Sequence, residues 1–226
     1  MGSRQVFNAA ARHALSLAGP RLPRLVWPEG SVISKSWADE ERGGGIVPGE
    51  HRRDGVNEPA LADILGPGLS VVFVGTAVGT ASAERGHYYA GRGNRFWQLL
   101  HEAKLTPRLL APEEDASLFD FGIGITDLVK GVAQSHDRGL DFSGAAGVAA
   151  HLVAACPRWV AFNGLTAGRE AARILRYGGS VALGEQPWTL GTSRVFVLPN
   201  SSGAYASMPY AEKLRWWTAL AALVAV

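Results

Sequence analysis

An unbroken apolar run, Val71-Val72-Phe73-Val74, leads directly into Gly75-Thr76-Ala77-Val78-Gly79, and this junction constrains the fold more than any other part of the chain. Four consecutive apolar residues leave no polar face, so the segment fits a strand covered on both sides. The two glycines allow a backbone to come close to a ligand. A pocket at the carboxyl end of a buried strand follows from that layout. A loop carrying His87-Tyr88-Tyr89 comes next, and then Gly91-Arg92-Gly93-Asn94-Arg95-Phe96-Trp97.

The rest of the chain supplies neighbours for this strand. Residues 1–56 contain Pro20, Pro23, Pro28, Pro48 and a Gly43-Gly44-Gly45 run, and they read as an N-terminal extension with a short amphipathic helix at 7–18. Residues 57–226 read as one domain. Within it, 59–65 is expected as a short helix stopped by Gly66-Pro67-Gly68, and the first strand follows at 69–74. Asn94 is placed to cap a helix running to about residue 104, and Pro112 opens a second over 112–119, with Glu113, Glu114 and Asp115 near its positive end. Strands are expected at 122–129 and 158–162, helices at 144–156, 167–175 and 211–223, and a hairpin from 188–190 and 194–198. Strands alternating with helices argue an α/β layer structure with a largely parallel sheet. Three strand ends, at Gly75–Gly79, Thr126-Asp127 and Asn200-Ser201-Ser202-Gly203, should converge on one site.

Composition narrows the chemistry. The 226 residues are 47% hydrophobic, enough for one good core, and the formal net charge of +2 does not by itself demand a nucleic-acid partner. Cys156 stands alone, so neither an internal disulfide nor a four-thiolate cluster can form. The six histidines lack metal-ligand spacing. No apolar run approaches the roughly 20 residues that span a bilayer, and no apolar signal core opens the chain. The expectation is a soluble, cytoplasmic monomer needing no metal, cofactor or membrane. Gly75-x-x-x-Gly79 lacks the glycine spacing of a dinucleotide loop, and a long loop is expected where such a motif needs a helix. No phosphate loop with its lysine is present, and Asn200-Ser201-Ser202-Gly203 only partly imitates a serine nucleophile turn.

Several motifs in register are more specific than any of these alone. Asp63-Ile-Leu-Gly-Pro-Gly-Leu-Ser-Val-Val-Phe-Val-Gly, Gly75–Gly79, Asn94-Arg95-Phe96-Trp97, Gly124-Ile-Thr-Asp-Leu-Val129, Phe162-Asn163-Gly164 and Val197-Leu-Pro-Asn-Ser-Ser-Gly203 occur in an order and spacing that resembles the mismatch-specific uracil and thymine DNA glycosylases of the uracil-DNA glycosylase superfamily. The resemblance covers about residue 60 to the C-terminus. It implies a three-layer α/β/α sandwich around a short, mainly parallel four-stranded sheet, with DNA crossing the carboxyl ends of the strands. It also implies an enzyme that flips uracil or a related damaged base from DNA and hydrolyses its bond to the sugar, leaving an abasic site.

Residue by residue, the resemblance assigns Gly75, Thr76, Ala77 and Asn163 to the base pocket and Tyr89 to stacking on the base. Asp127 and Asn200 stand where groups meet the base and the sugar. Arg95, Ser201, Ser202 and Gly203 fall at the DNA backbone. Two positions depart from the family. Its first motif reads Gly-Ile-Asn-Pro-Gly, with the Asn holding the attacking water, and here Ala77 takes that place. Some superfamily branches also have alanine, the best known with a four-cysteine cluster that this chain cannot make. Where the family inserts a bulky side chain into the duplex, this chain has Ala204, with Tyr205 beside it as the candidate wedge. The alternative to an enzyme is a lesion-binding protein of the same fold, its chemistry weakened by the loss of that Asn. Asp127 is then the nearest group able to act on water, if it faces the sugar rather than the base.

Overall fold

The computed structural model describes residues 59–203 and 207–225. The extension with its expected helix at 7–18, and the positions Ala204 and Tyr205, lie outside them. Five strands form one sheet: β1 (Val71–Gly75), β2 (Ile123–Asp127), β3 (Trp159–Asn163), β4 (Gly184–Leu190) and β5 (Ser193–Leu198). Their spatial order is β2-β1-β3-β5-β4, and the first four run parallel. β1, β2 and β3 are buried at every position, as parallel strands with helices on both faces must be.

The expected count of four strands is therefore corrected to five. The added strand is the first arm of the hairpin, which pairs antiparallel with β5 and closes the sheet's edge. Its residues alternate buried and exposed, with Glu185, Pro187 and Thr189 outward, the pattern of an edge strand with one wet face. Pro187 removes a donor from the free edge, which discourages pairing with another chain.

Helices cover the two faces: α1 (Thr80–Arg85), α2 (Phe96–Glu102), a 3-10 helix (Pro112–Phe121), α3 (Ala145–Ala155), α4 (Leu165–Ile174) and α5 (Tyr210–Val224). On one side Phe73 and Ile125 of the sheet pack with Phe96 and Leu100 of α2, Leu118 of the 3-10 helix and Trp217 of α5. On the other, Val72, Val74, Val160 and Val197 pack with Leu152 of α3 and Ala171 of α4. Phe73 stacks on Trp217 at 5.2 Å and meets Phe96 edge-on at 5.3 Å. Truncating so enclosed a ring would cost about 3–5 kcal/mol.

Three local expectations change. Residues 59–65 are not helical. Ile64 instead exchanges two 2.9 Å backbone hydrogen bonds with Ile125 and covers the outer edge of β2. A seven-residue helix held between Pro59 and Gly66-Pro67 has too few bonds to repay its nucleation. Residues 112–121 wind as a 3-10 rather than an α-helix. Finally, α1 starts immediately after Gly79, inside the segment read as a long loop, and stops at Gly86 with φ +73°. The missing glycine spacing still argues against a dinucleotide loop. Asn94 does hold the start of α2, since its Oδ1 accepts the Phe96 N–H at 3.0 Å.

Candidate active site

The carboxyl ends of β1, β2, β3 and β5 open into a cavity of ≈ 320 Å³. Gly75 and Asp127 are partners in the parallel register at its floor. A Cβ at position 75 would sit 2.2 Å from Asp127 Oδ1, so only glycine admits this carboxyl. Asp127 is 3% exposed, and its Oδ2 has no hydrogen-bond partner among the described residues. Burial pushes its pKa up to about 7, against the pull of the Lys130 charge and with a further push from Asp63.

Tyr89 stands beside it on the same cavity. Its ring lies flat on Phe96, with centroids 3.9 Å apart and planes 16° apart. Its backbone sits in the left-handed region at φ +54°, a conformation that needs the surrounding contacts to hold it. The phenol oxygen is buried with no bond among the described residues. Burial and the neighbouring Asp127 push the phenol well above its ordinary pKa. Asn163 opposes that shift, since its amide nitrogen carries a second N–H beyond the one given to Ser201. Two orphaned polar atoms on one cavity are a pointed observation, because leaving such a group unbonded costs about 1–3 kcal/mol.

Asn163 and Ser201 form a latch. The Asn163 amide donates to Ser201 Oγ at 2.9 Å and accepts the Ser201 N–H at 3.0 Å. The Ser201 carbonyl accepts the Arg95 N–H at 2.9 Å, tying the β5 loop to the start of α2. Ser201 is 0% exposed. Its hydroxyl is enclosed against Asn163 in this structure. Asn200 lines the cavity and bonds the Ser202 N–H at 2.8 Å. Thr76, Ala77, Ser202 and Gly203 also line it, whereas Arg95 is exposed in an adjoining basic cleft with Arg92 and Lys213. A Cβ on Gly203 would come 2.5 Å from the Gly93 carbonyl, so the two loops meet only because that side chain is absent.

Beneath the floor lies a charged cluster that sequence reasoning missed. Asp63 Oδ1 accepts from Thr126 Oγ1 at 2.8 Å, from Tyr88 Oη at 3.4 Å and from Lys130 Nζ. Lys130 also donates to Thr126 Oγ1 at 2.7 Å. Asp115 holds the tyrosine loop from outside, accepting the Tyr88 N–H at 2.9 Å and lying 3.3 Å from His87 Nδ1. Glu113 and Glu114 pair with Arg85 and Arg108, so all three acids anchor neighbouring side chains or loops in addition to favouring the helix's positive end.

The rim was missed as well. Residues 133–138 fold over the first motif: Ala133 bridges to Val78, and Gln134 N–H donates to the Val78 carbonyl at 2.8 Å. Ser135 Oγ accepts the Thr80 N–H at 3.2 Å. Asp137 Oδ1 accepts from Thr76 Oγ1 at 2.7 Å. The polar run Gln134-Ser135-His136-Asp137-Arg138, set just after a strand end, was the available signal. Among the described residues no group of three or more His, Cys, Asp or Glu is arranged to hold a metal ion. No described helix is long and apolar enough to cross a membrane.

A family model described as the uracil DNA glycosylase superfamily matches residues 62–221. Among solved structures, the chain is similar to the solution NMR structure of a Methanosarcina acetivorans protein provisionally named a uracil DNA glycosylase. That match has 20% identity and a TM-score of 0.48, and it covers 74% of this chain and 98% of that one.

Proposed function

The chain belongs to the uracil DNA glycosylase superfamily, and from that premise we propose that it is a monofunctional DNA glycosylase that excises uracil. The single observation carrying the proposal is the pair of buried, unpartnered polar atoms, Asp127 Oδ2 and Tyr89 Oη, beside a flat ring in one strand-end cavity. A flipped base supplies what they lack. It stacks on Tyr89, which is worth roughly 1–3 kcal/mol for such contacts, and it presents a hydrogen-bonding edge to the floor.

Asp127 in its neutral form suits that edge. A protonated carboxyl donates to a ring carbonyl and accepts from the adjacent ring N–H, the pairing that uracil offers. Ionised, it would repel a base that departs as an anion. Burial keeps the proton on up to about pH 7, which favours the reading role over attack on water. Hydrolysis then breaks the C1′–N bond, the base leaves with the bonding pair, and water supplies hydroxyl to C1′ and a proton to the base. Asn200 lines the sugar side, and the exposed Arg95 and the Ser202–Gly203 turn take the DNA backbone. The working unit is a monomer whose catalytic domain spans 57–226, with no metal or cofactor in this scheme.

Incubation with uracil-containing single- and double-stranded oligonucleotides, followed by alkali, should cut the strand at uracil. Ala77 favours a second reading, binding of the lesion without excision. Retarded migration with intact strands would select it.

A further inference from the structure

We propose that Asp137 is a catalytic residue of this site, the group that holds and deprotonates the attacking water, in the space that the methyl of Ala77 leaves open. The inference rests on the glycosylase reading and deepens it. Asp137 lines the same cavity as Ala77 and Asp127. Its Oδ1 is anchored by the hydroxyl of Thr76, the residue preceding Ala77, at 2.7 Å. No bond to its second carboxylate oxygen occurs among the described residues.

The segment carrying it is fastened for the purpose of position. The Ala133–Val78 bridge and the Ser135–Thr80 contact tie it to the end of the first motif and the start of α1. The Gln134 amide donates to the carbonyls of His136 and Arg138, at 2.9 Å for Arg138, and so braces the turn around Asp137. Asp127, buried at the floor and facing Gly75, is spent on the base edge. The two acids thus divide the work: one is enclosed and meets the base, the other is half-buried at the rim beside the first motif. As the C1′–N bond breaks and its electron pair leaves with the base, an ionised Asp137 stabilises the cationic sugar and takes one proton from water. The water oxygen bonds C1′, and the proton passes on to the departing base.

The test compares the full-length wild type, Asp137→Asn and Asp141→Asn. Asp141 is an exposed control that caps the Ser143 turn outside the cavity. Asn at 137 keeps an oxygen for Thr76, and thermal melts check that the fold persists. Single-turnover excision of uracil should fall roughly 10²- to 10⁴-fold in Asp137→Asn, with DNA affinity within threefold, while Asp141→Asn stays at the wild-type rate.

A second readout does not depend on which base is cut. Duplexes carrying a cationic pyrrolidine abasic analogue or the neutral tetrahydrofuran analogue are titrated against each protein. The wild type should prefer the cation at least tenfold, and Asp137→Asn should lose that preference. Binding of both analogues with no cation preference, or a preference that survives in Asp137→Asn, overturns the role of Asp137 and leaves the glycosylase reading standing. Failure to bind either duplex overturns both.

Discussion

The floor and the rim of the cavity are built on opposite terms. At the floor, Asp127 and Tyr89 are enclosed by the sheet and by Phe96, and each keeps a polar atom without a partner. At the rim, Thr76, Gln134, Ser135 and Asp137 are partly or fully exposed, and their polar groups bond one another across the loop. A buried group left unbonded weakens the fold and is ready for a ligand, whereas a wet hydrogen bond has small consequences for stability and serves to fix position. Floor substitutions should therefore move stability and recognition together. Rim substitutions should move turnover with little change in stability.

The largest effect on excision is expected at Gly75. In Gly75→Ala the new methyl would stand 2.2 Å from Asp127 Oδ1, so the carboxyl or the strand end must shift. Overpacking of this kind costs about 1–3 kcal/mol, and displacing Asp127 should abolish excision. Urea unfolding with single-turnover kinetics measures both, and a fully active alanine variant would place the reading group elsewhere.

Next comes Asp127 itself, where pH separates floor from rim. Its folded pKa of about 7 lies above the ordinary 3.8, so between those values the native state holds a proton that the unfolded chain has released. Stability contributed by this group therefore falls as pH rises through that window and is lowest above pH 7. Asp127→Asn should remove the slope and be the more stable protein at pH 8, by an amount on the order of 4 kcal/mol at most. Wild-type excision should decline above pH 7, and Asp127→Asn should lose that decline. Parallel stability curves for the two proteins would mean that the floor carboxyl is solvated.

Tyr89→Phe should be smaller and of the same sign. It keeps the stack on Phe96 and deletes an unpartnered hydroxyl, so melting should show a gain of about 1 kcal/mol. Affinity for DNA holding a flipped base should drop if the hydroxyl serves the base.

The same division explains what could be read in advance. Floor residues stand at the ends of apolar strands, so Gly75, Asp127 and Asn200 were marked by pattern and Asn163 by the resemblance, and all four line one cavity. A hydroxyl in an Asn-Ser-Ser-Gly turn resembles a surface donor, and only the packed fold shows Ser201 latched to Asn163. Asp63 and the rim carry no periodic signal. The bonds of Asp63 to Thr126 and Lys130, of Thr76 to Asp137 and of Thr80 to Ser135 join residues 55 to 67 positions apart and exist only once β1 and β2 are in register. The fifth strand was already legible as the first arm of the hairpin at 188–190; the count of four came from the resemblance, and the alternation of 184–190 carries that arm back across Pro187.

The smallest change in stability should come from Thr76→Val, which sharpens the contrast most. Valine matches threonine in shape, so the substitution removes one donor and little else. The lost bond to Asp137 is partly exposed, and water can replace the hydroxyl, so unfolding should shift by no more than about 0.5–1 kcal/mol. DNA affinity should stay near wild type, since the floor that meets the base is untouched. Turnover should nevertheless fall, because the carboxylate that Thr76 anchors is then free to swing away from the first motif, and a misplaced group loses most of its advantage in orienting water. Crucially, the cation preference among abasic analogues should weaken rather than vanish, as the charge remains nearby. A Thr76→Val protein with unchanged turnover would show that the rim holds Asp137 in place without that hydroxyl. One that loses stability as heavily as Gly75→Ala would erase the distinction between floor and rim.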